Sequence, residues 1–69
     1  MDVRKRVGLN IADLRKAKSL TQEELSHRAR IHQTYLSGVE TGRRNTSIVV
    51  LERIARALKV EMEALVRKR

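Results

Sequence analysis

Between residues 32 and 37, uncharged polar side chains have the types and spacing needed to read nucleobases. The set comprises His32, Gln33, Thr34 and Ser37, at the N-terminal end of a short predicted helix. The amide of Gln33 can donate and accept hydrogen bonds at once, which matches the N6 donor and N7 acceptor of adenine in the major groove. We predict that these residues contact bases. For Gln33 the alternative is simple exposure, because glutamine is also a good helix former.

A second group of polar and basic residues is suited to the DNA backbone. Gln22 follows the predicted start of a helix, where free backbone amides and the helix dipole attract anions. Arg43, Arg44 and Asn45 form a basic loop that should lie along the flanking phosphates and set affinity more than sequence preference. Tyr35 has two interpretations that the sequence leaves open. Its hydroxyl donates to a phosphate, or its ring packs against a neighbouring helix.

Metal binding and catalysis are not favoured by any group of residues. The chain has 2 His and no Cys, which is too few ligands for a metal site. Ser26, His27 and Ser37 could suggest a nucleophile and a base, but no acid at a suitable spacing would orient them. We therefore predict a protein that is not an enzyme and that needs no metal or cofactor.

Charge and length indicate one small domain with a polyanionic partner. The 69 residues carry 16 Lys and Arg against 8 Asp and Glu, a formal charge of +8. Nucleic acid and an anionic membrane surface both suit this charge. No long apolar run is present, and Tyr35 is the single aromatic residue, which disfavours the reading of single strands by stacking. We predict a cytoplasmic, nucleoid-associated protein that binds double-stranded DNA and no membrane.

The first predicted helix carries one apolar stripe and ends near residues 17–19. The stripe comprises Val3, Val7, Ile11 and Leu14, at helical spacing. Gly8 weakens this helix, since glycine costs about 1 kcal/mol in a helix interior. Two interpretations follow: the regular helix begins at Gly8, or another backbone packs closely there.

A helix-turn-helix is predicted over residues 21–40. The capping box Thr21-Gln22-Glu23-Glu24 begins its first helix, which stops near residue 30. Its second helix is predicted over residues 33–40, and Gly42 is suited to end it in a left-handed conformation. The residues turned toward the core are Leu25 and Ala29 from the first of these helices, and Leu36 and Val39 from the second.

The C-terminal third is predicted to form two helices and a dimer interface. Ser47 can cap a fourth helix, whose inner face comprises Leu51, Ile54, Ala55 and Leu58. A last short helix is predicted over residues 61–66, followed by a mobile, solvated basic tail. Val49 and Val50 stand where a monomer would usually have polar residues, so we predict a dimer interface there. Its other members would be Ile48, Met62 and Val66. Additional core burial is the alternative.

Taken together, these motifs resemble a known family. They are Leu20-Thr21-Gln22-Glu23-Glu24-Leu25, Ala29, Ile31, Gln33-Thr34-Tyr35-Leu36-Ser37, Glu40, Gly42 and Ile54-Ala55-x-Ala57-Leu58. Over residues 8–65 the chain resembles the phage repressor and Cro family, also called the Xre-type helix-turn-helix family. The resemblance implies an all-α, five-helix lambda-repressor-like fold, with a single domain over residues 1–69, a core over residues 8–66 and basic termini. It also implies a transcriptional regulator that binds a palindromic operator as a homodimer.

The resemblance further implies roles for individual residues. Gln22 is similar to the family's phosphate-binding glutamine, and Gln33 to the first base-reading residue of its recognition helix. Arg15 and Glu40 resemble a partly buried ion pair that joins the first helix to the end of the third. Departures from the family pattern include Arg30 and Lys59, which stand where Gly is common.

The predicted function follows from these residues and the resemblance. Residues 34–40 and the pair Arg44-Asn45 are similar to the controller proteins of restriction–modification systems, which are small stand-alone regulators. We predict a homodimer on a pseudo-palindromic operator, with half-sites about 34 Å apart, that blocks or contacts RNA polymerase. One alternative is an antitoxin or adaptor that binds another protein through its fourth and fifth helices. Another is non-specific coating of the nucleoid or a membrane, driven by charge.

Overall fold

The computed structural model describes all 69 residues as five α-helices joined by short turns, with no strand. The helices are α1 (Val3–Ala17), α2 (Gln22–Ala29), α3 (Gln33–Glu40), α4 (Ile48–Leu58) and α5 (Met62–Val66). The predicted all-α fold is confirmed, and α2 and α3 form the predicted helix-turn-helix. None of the helices is long and apolar enough to cross a membrane.

Side-chain caps determine where α2 and α4 begin. The Glu24 amide donates to Thr21 Oγ1 at 3.0 Å, and the Thr21 amide donates to Glu24 Oε1 at 2.8 Å, so the predicted capping box is present. Ser47 Oγ likewise accepts from the Val50 amide at 3.1 Å. Each cap satisfies an amide that the helix itself leaves without a partner, which is worth about 1 kcal/mol. Both helices therefore begin at the positions that the sequence predicts.

Residues with a left-handed backbone follow four of the helices, and Ser19, with φ of 57°, is the one after α1. Gly42, with φ of 77°, follows α3 as predicted. Arg30 ends α2 and Lys59 ends α4, each with φ of 59°. This conformation costs a non-glycine residue roughly 1–2 kcal/mol. At the end of α2 it is held by the helix carbonyls, because the Arg30 amide donates to His27 O at 3.2 Å and the Ile31 amide to Ser26 O at 3.0 Å. The turn between α2 and α3 thus keeps a glycine-like geometry with arginine in place.

The core lies where the helices meet. Its buried apolar residues are Val7, Ile11, Leu20, Leu25, Ala29, Leu36, Val39, Ile54, Ala55, Leu58 and Leu65. Each fully buried Leu or Ile contributes about 1.5–3 kcal/mol to folding. The inward residues predicted for α2 and α3 are all in this set, whereas Leu51 of α4 is partly buried at its edge. Val3, at the N-terminal end of the predicted apolar stripe, is 55% exposed because the first turn of α1 extends past the core.

At Gly8, α1 packs against the end of α3 at backbone distance. A Cβ atom at Gly8 would lie 2.3 Å from the Val39 carbonyl oxygen and 2.6 Å from that of Glu40. A Cβ atom at Gly42 would lie 3.0 Å from the Cα of Lys5. Since α1 continues unbroken through Gly8, the second of the two interpretations is correct, and another backbone does pack closely there. Because Gly8 and Gly42 have no side chains, α1 packs closely against the C-terminal end of α3 and fixes its position.

The basic C-terminal tail, predicted to be mobile and solvated, is exposed over residues 67–69 but also makes hydrogen bonds to α1. The buried Asn10 side chain donates through Nδ2 to the Leu65 carbonyl at 3.0 Å and the Arg67 carbonyl at 2.8 Å. Its Oδ1 accepts from Arg69 Nη1 at 2.9 Å, and Arg69 Nη2 lies 2.8 Å from Asp13 Oδ2. These contacts anchor the chain after α5 to the first helix.

Candidate nucleic-acid interface

A nearly buried ion pair joins α1 to the C-terminal end of α3. Arg15 Nε donates to Glu40 Oε2 at 2.8 Å, and Arg15 Nη2 donates to Glu40 Oε1 at 3.1 Å. The two side chains are only 11% and 5% exposed. Arg15 Nη1 also donates to the Leu20 carbonyl at 2.7 Å, so each nitrogen of the guanidinium makes a hydrogen bond. A bidentate pair in this setting is strong, and the loss of one partner would leave a buried charge. It therefore fixes the orientation of α3.

Gln22, which we predicted to contact a phosphate, extends this network. Its Nε2 donates to Glu40 Oε1 at 2.9 Å. A side-chain amide nitrogen carries two protons, so one donates to Glu40 and the second remains for an anion. Gln22 is also the first residue of α2, where backbone amides lack helical partners and attract phosphate. An anion bound here would be linked to α3 through Glu40.

The four predicted base-reading residues lie on or beside the N-terminal half of α3. His32, Gln33 and Thr34 are exposed, and Ser37 is half-buried one turn further on. His32 is the N-cap residue, but its side chain makes no capping hydrogen bond. On the opposite face of α3, Leu36 and other core residues are buried. The helix thus presents an uncharged polar end to solvent while its apolar side is anchored in the core.

The basic loop after α3 folds back onto that helix. The amides of Arg43 and Arg44 both donate to the Gly38 carbonyl, at 2.9 and 3.1 Å. The guanidinium carbon of Arg44 lies 5.0 Å from the centroid of the Tyr35 ring, within the range of a cation–π interaction. All three residues of the loop, Arg43, Arg44 and Asn45, are exposed. The three residues that we predicted to bind phosphate therefore differ, because Arg44 alone is stacked on α3.

Tyr35 packs within the chain. Its half-buried ring contacts the core, and its hydroxyl donates to Thr46 Oγ1 at 3.1 Å. Of the two interpretations offered by the sequence, this geometry is that of a packed ring. Its hydroxyl proton is already used, so donation to a phosphate would require this hydrogen bond to break.

A cluster of arginines at the junction of α2 and α4 was not predicted. Arg53 of α4 donates through Nε to the Ala29 carbonyl at 3.0 Å, and its Nη2 also donates to the Arg30 carbonyl. It therefore caps the C-terminal end of α2 and supports the left-handed turn. The cleft around it is lined by Arg28, Arg30, Arg53 and Arg56. Only the packing of two helices brings these residues together, so spacing along the sequence gave no signal.

Some members of the predicted dimer interface are exposed, and others pack against the core. Its exposed members are Ile48, Val49 and Val66, at 75%, 65% and 41%. Val50 and Met62 instead pack against the core, as in the alternative of additional burial. Val3, the first residue of the apolar stripe of α1, lines a cavity together with Leu51 and Val66. We call the exposed residues Val3, Ile48, Val49 and Val66 the apolar patch.

Two acidic side chains at helix starts have lowered pKa values. Hydrogen bonds from the side chain and amide of Arg4 lower the pKa of Asp2 to about 2. Hydrogen bonds from Thr21 lower the pKa of the Glu24 carboxyl. Both groups cap helices and lie outside the exposed end of α3.

No group of three or more His, Cys, Asp or Glu side chains is arranged to hold a metal ion. The residues assembled around α3 are suited to hydrogen bonding and charge complementarity.

Comparisons with known proteins place this arrangement among DNA-binding regulators. A helix-turn-helix family model, HTH_3, matches residues 11–65. The uncharacterized HTH-type transcriptional regulator y4dJ of Sinorhizobium fredii is 50% identical over 66 residues, which cover 96% of this chain and 86% of the relative. Control protein C.MunI from Mycoplasma sp is 37% identical over 65 residues, covering 93% and 88%. The crystal structure of the restriction-modification controller protein C.AhdI from Aeromonas hydrophila superposes with a TM-score of 0.88 at 37% identity, covering 90% of this chain and 94% of that one.

Proposed function

The chain belongs to the helix-turn-helix family HTH_3, and from that premise we propose that it regulates transcription by binding double-stranded DNA sequence-specifically as a homodimer. The family resemblance drawn from its motifs is confirmed. The observation that carries the proposal is the exposed polar end of α3, held in place by the buried pair of Arg15 and Glu40. A rigid helix with Gln33 and Thr34 at its exposed end has the form required for insertion into a major groove.

In the proposed complex, base contacts specify the site and phosphate contacts position the protein. Gln33 forms a bidentate pair with adenine, and His32, Thr34 and Ser37 contact neighbouring base edges. Gln22 binds a phosphate at the start of α2, with its second amide proton as donor. The flanking strand is bound by the basic loop, through Arg43 and Asn45. Affinity should therefore depend on salt concentration, while sequence preference depends on α3.

Dimerisation is proposed to occur through the apolar patch. Two copies would place their α3 helices in successive major grooves, about 34 Å apart. Exposed apolar side chains on the first turn of α4 and on α5 are costly in a monomer and suit a self-complementary interface. We expect sedimentation of the wild type as a dimer, and of Val49→Glu as a folded monomer. Arg56→Glu, on the same helix but at an already charged position, is the control and should remain dimeric.

The likeness to restriction-modification controller proteins suggests the same class of regulator for this chain. Control would come from occupancy of a promoter, by blocking RNA polymerase or by contacting it. Its place would be the cytoplasm, on the nucleoid. A promoter–reporter assay with the operator moved upstream in single-base steps separates the two modes. Contact predicts activation at one spacing, whereas blocking predicts repression wherever the operator overlaps the promoter.

The experiment that tests the proposed function is selection of bound duplexes from a random DNA pool at physiological salt, followed by sequencing. The expected result is an enriched palindrome whose half-sites are one helical turn apart. Enrichment of no sequence, despite tight binding at low salt, would contradict specific recognition and favour charge-driven coating. A stable complex with a second cellular protein and no DNA preference would instead support the antitoxin or adaptor alternative.

A further inference from the structure

Gly38 leaves a gap on the side of α3 that faces away from the core. Residues four apart lie above one another on a helix, so Gly38 follows Thr34 on the same exposed side. Leu36 and Val39 point the other way, into the core. Gly38 is nevertheless buried, although it has no side chain of its own. Something from another part of the chain must therefore cover this position.

The side chain of Arg44 covers it. A Cβ atom at Gly38 would lie 2.6 Å from Arg44 Cγ, so the stem of Arg44 runs directly across the helix surface where a side chain at 38 would begin. The guanidinium continues toward the N-terminal half of α3, with its central carbon 5.0 Å from the Tyr35 ring centroid. Arg44 thus occupies the space of the missing side chain, and its guanidinium lies over the Tyr35 ring.

Several contacts hold Arg44 in this position. Its own amide donates to the Gly38 carbonyl at 3.1 Å, which ties the loop to the helix. The Tyr35 ring beneath the guanidinium is fixed by the hydrogen bond from its hydroxyl to Thr46 at 3.1 Å. Arg43 differs, since its Nε donates at 3.1 Å to Thr41, beyond the C-terminal end of α3. An arginine that is already ordered loses less conformational entropy when it binds.

We propose that Arg44 reads a guanine from the loop, in place of a side chain at Gly38, rather than binding a phosphate as the sequence suggested. The planar guanidinium presents two parallel N–H donors that match O6 and N7 of guanine in the major groove. The Arg44 stem crosses Gly38, which follows Thr34 on the same side of α3, whereas the Arg43 side chain turns to Thr41 beyond the end of the helix. This inference rests on the proposed function, because it requires α3 to enter the groove.

The test is selection from a random duplex pool with the wild type and four variants. The wild type should enrich guanine at one position in each half-site. Arg44→Ala and Arg44→Lys should lose that preference by about 5- to 150-fold, the discrimination of one bidentate pair, and keep the remaining positions. Lysine retains the positive charge but lacks the two parallel N–H donors of the guanidinium. The Arg44→Lys variant should therefore still bind a phosphate but no longer recognise guanine. Arg43→Ala is the matched control and should retain the whole motif with weaker affinity.

Gly38→Ala supplies a second test that removes no charge. Its Cβ would displace the Arg44 stem, so the same guanine position should lose its preference. Circular dichroism establishes that each variant is folded before selection.

The outcomes separate this inference from the proposed function. An enriched palindrome that Arg44→Ala leaves unchanged at every position, with uniformly weaker binding, would overturn the inference alone. Retention of the guanine by Arg44→Lys would overturn it as well. If the wild type itself enriches no motif, both the proposed function and the inference fail.

Discussion

Replacement of Gly8 by alanine tests how α1 positions α3. The new Cβ would lie 2.3 Å from one backbone carbonyl oxygen and 2.6 Å from the next, at Val39 and Glu40. Carbon–oxygen contacts normally begin near about 3.3 Å, so one of the two helices must shift by about 1 Å. Overpacking of this kind costs about 1–3 kcal/mol, and the upper end applies because both neighbours are backbone. The higher helix propensity of alanine offsets about 1 kcal/mol. We expect a net loss of about 2 kcal/mol in the free energy of unfolding.

Thermal unfolding followed by circular dichroism measures this loss. For a domain of this size, 2 kcal/mol lowers Tm by about 8–16 °C. All variants are compared at one protein concentration, because a dimer's stability depends on concentration. Gly38→Ala is the control, since its new Cβ meets the flexible stem of Arg44 rather than backbone. It should change stability by less than about 1 kcal/mol. A Gly8→Ala protein as stable as the wild type would refute the close packing of α1 on α3.

Three further predictions concern buried and capping groups. Glu40→Ala should lower the free energy of unfolding by about 3–5 kcal/mol, because it leaves the buried Arg15 unpaired. The control is Glu52→Ala, which removes an exposed ion pair with Arg56 at 4.0 Å and should cost less than about 0.5 kcal/mol. Asn10→Ala should cost about 1–3 kcal/mol and speed hydrogen exchange after α5, since two carbonyls lose their donor. The pKa of Glu24 is lowered by Thr21, so its contribution to stability is complete above the carboxyl's ordinary pKa and is lost as the pH falls through the folded value. Glu24→Gln should reduce this acid dependence, and an unchanged pH profile would contradict the assignment.

Local patterns in the sequence predicted most of the fold. The capping box at Thr21 and the caps of other helices depend on neighbours within three residues, so they are visible along the chain. Apolar periodicity identified Ile11, Leu36 and Ile54 as core residues for the same reason. Val3 lies on the same apolar stripe as Ile11 yet is exposed, because periodicity does not reveal how far a helix extends beyond the core.

Some features that depend on long-range contacts could not be predicted from local patterns, whereas the pair of Arg15 and Glu40, 25 residues apart, was expected from the family resemblance. Asn10 and the carbonyls it binds are 55 and 57 residues apart, and nothing in the pattern of α1 marks it as buried. Gly38 has no side chain, and only the folded chain shows that the loop crosses it. Arg44 consequently looked like an ordinary loop cation. The contacts of these residues become visible only in the folded chain, because each residue acts through a partner that is distant in sequence or lies on another segment.

Selection with the Gln33→Ala variant, beside the wild type, tests the central claim most directly: that α3 reads the operator from its exposed end. The account predicts that Gln33→Ala loses preference at one base pair, at symmetric positions in both half-sites, by about 5- to 150-fold, and keeps the rest of the motif. Circular dichroism should show an unchanged fold, since Gln33 is exposed. A Gln33→Ala motif identical to that of the wild type, with or without a uniform loss of affinity, would contradict the claim.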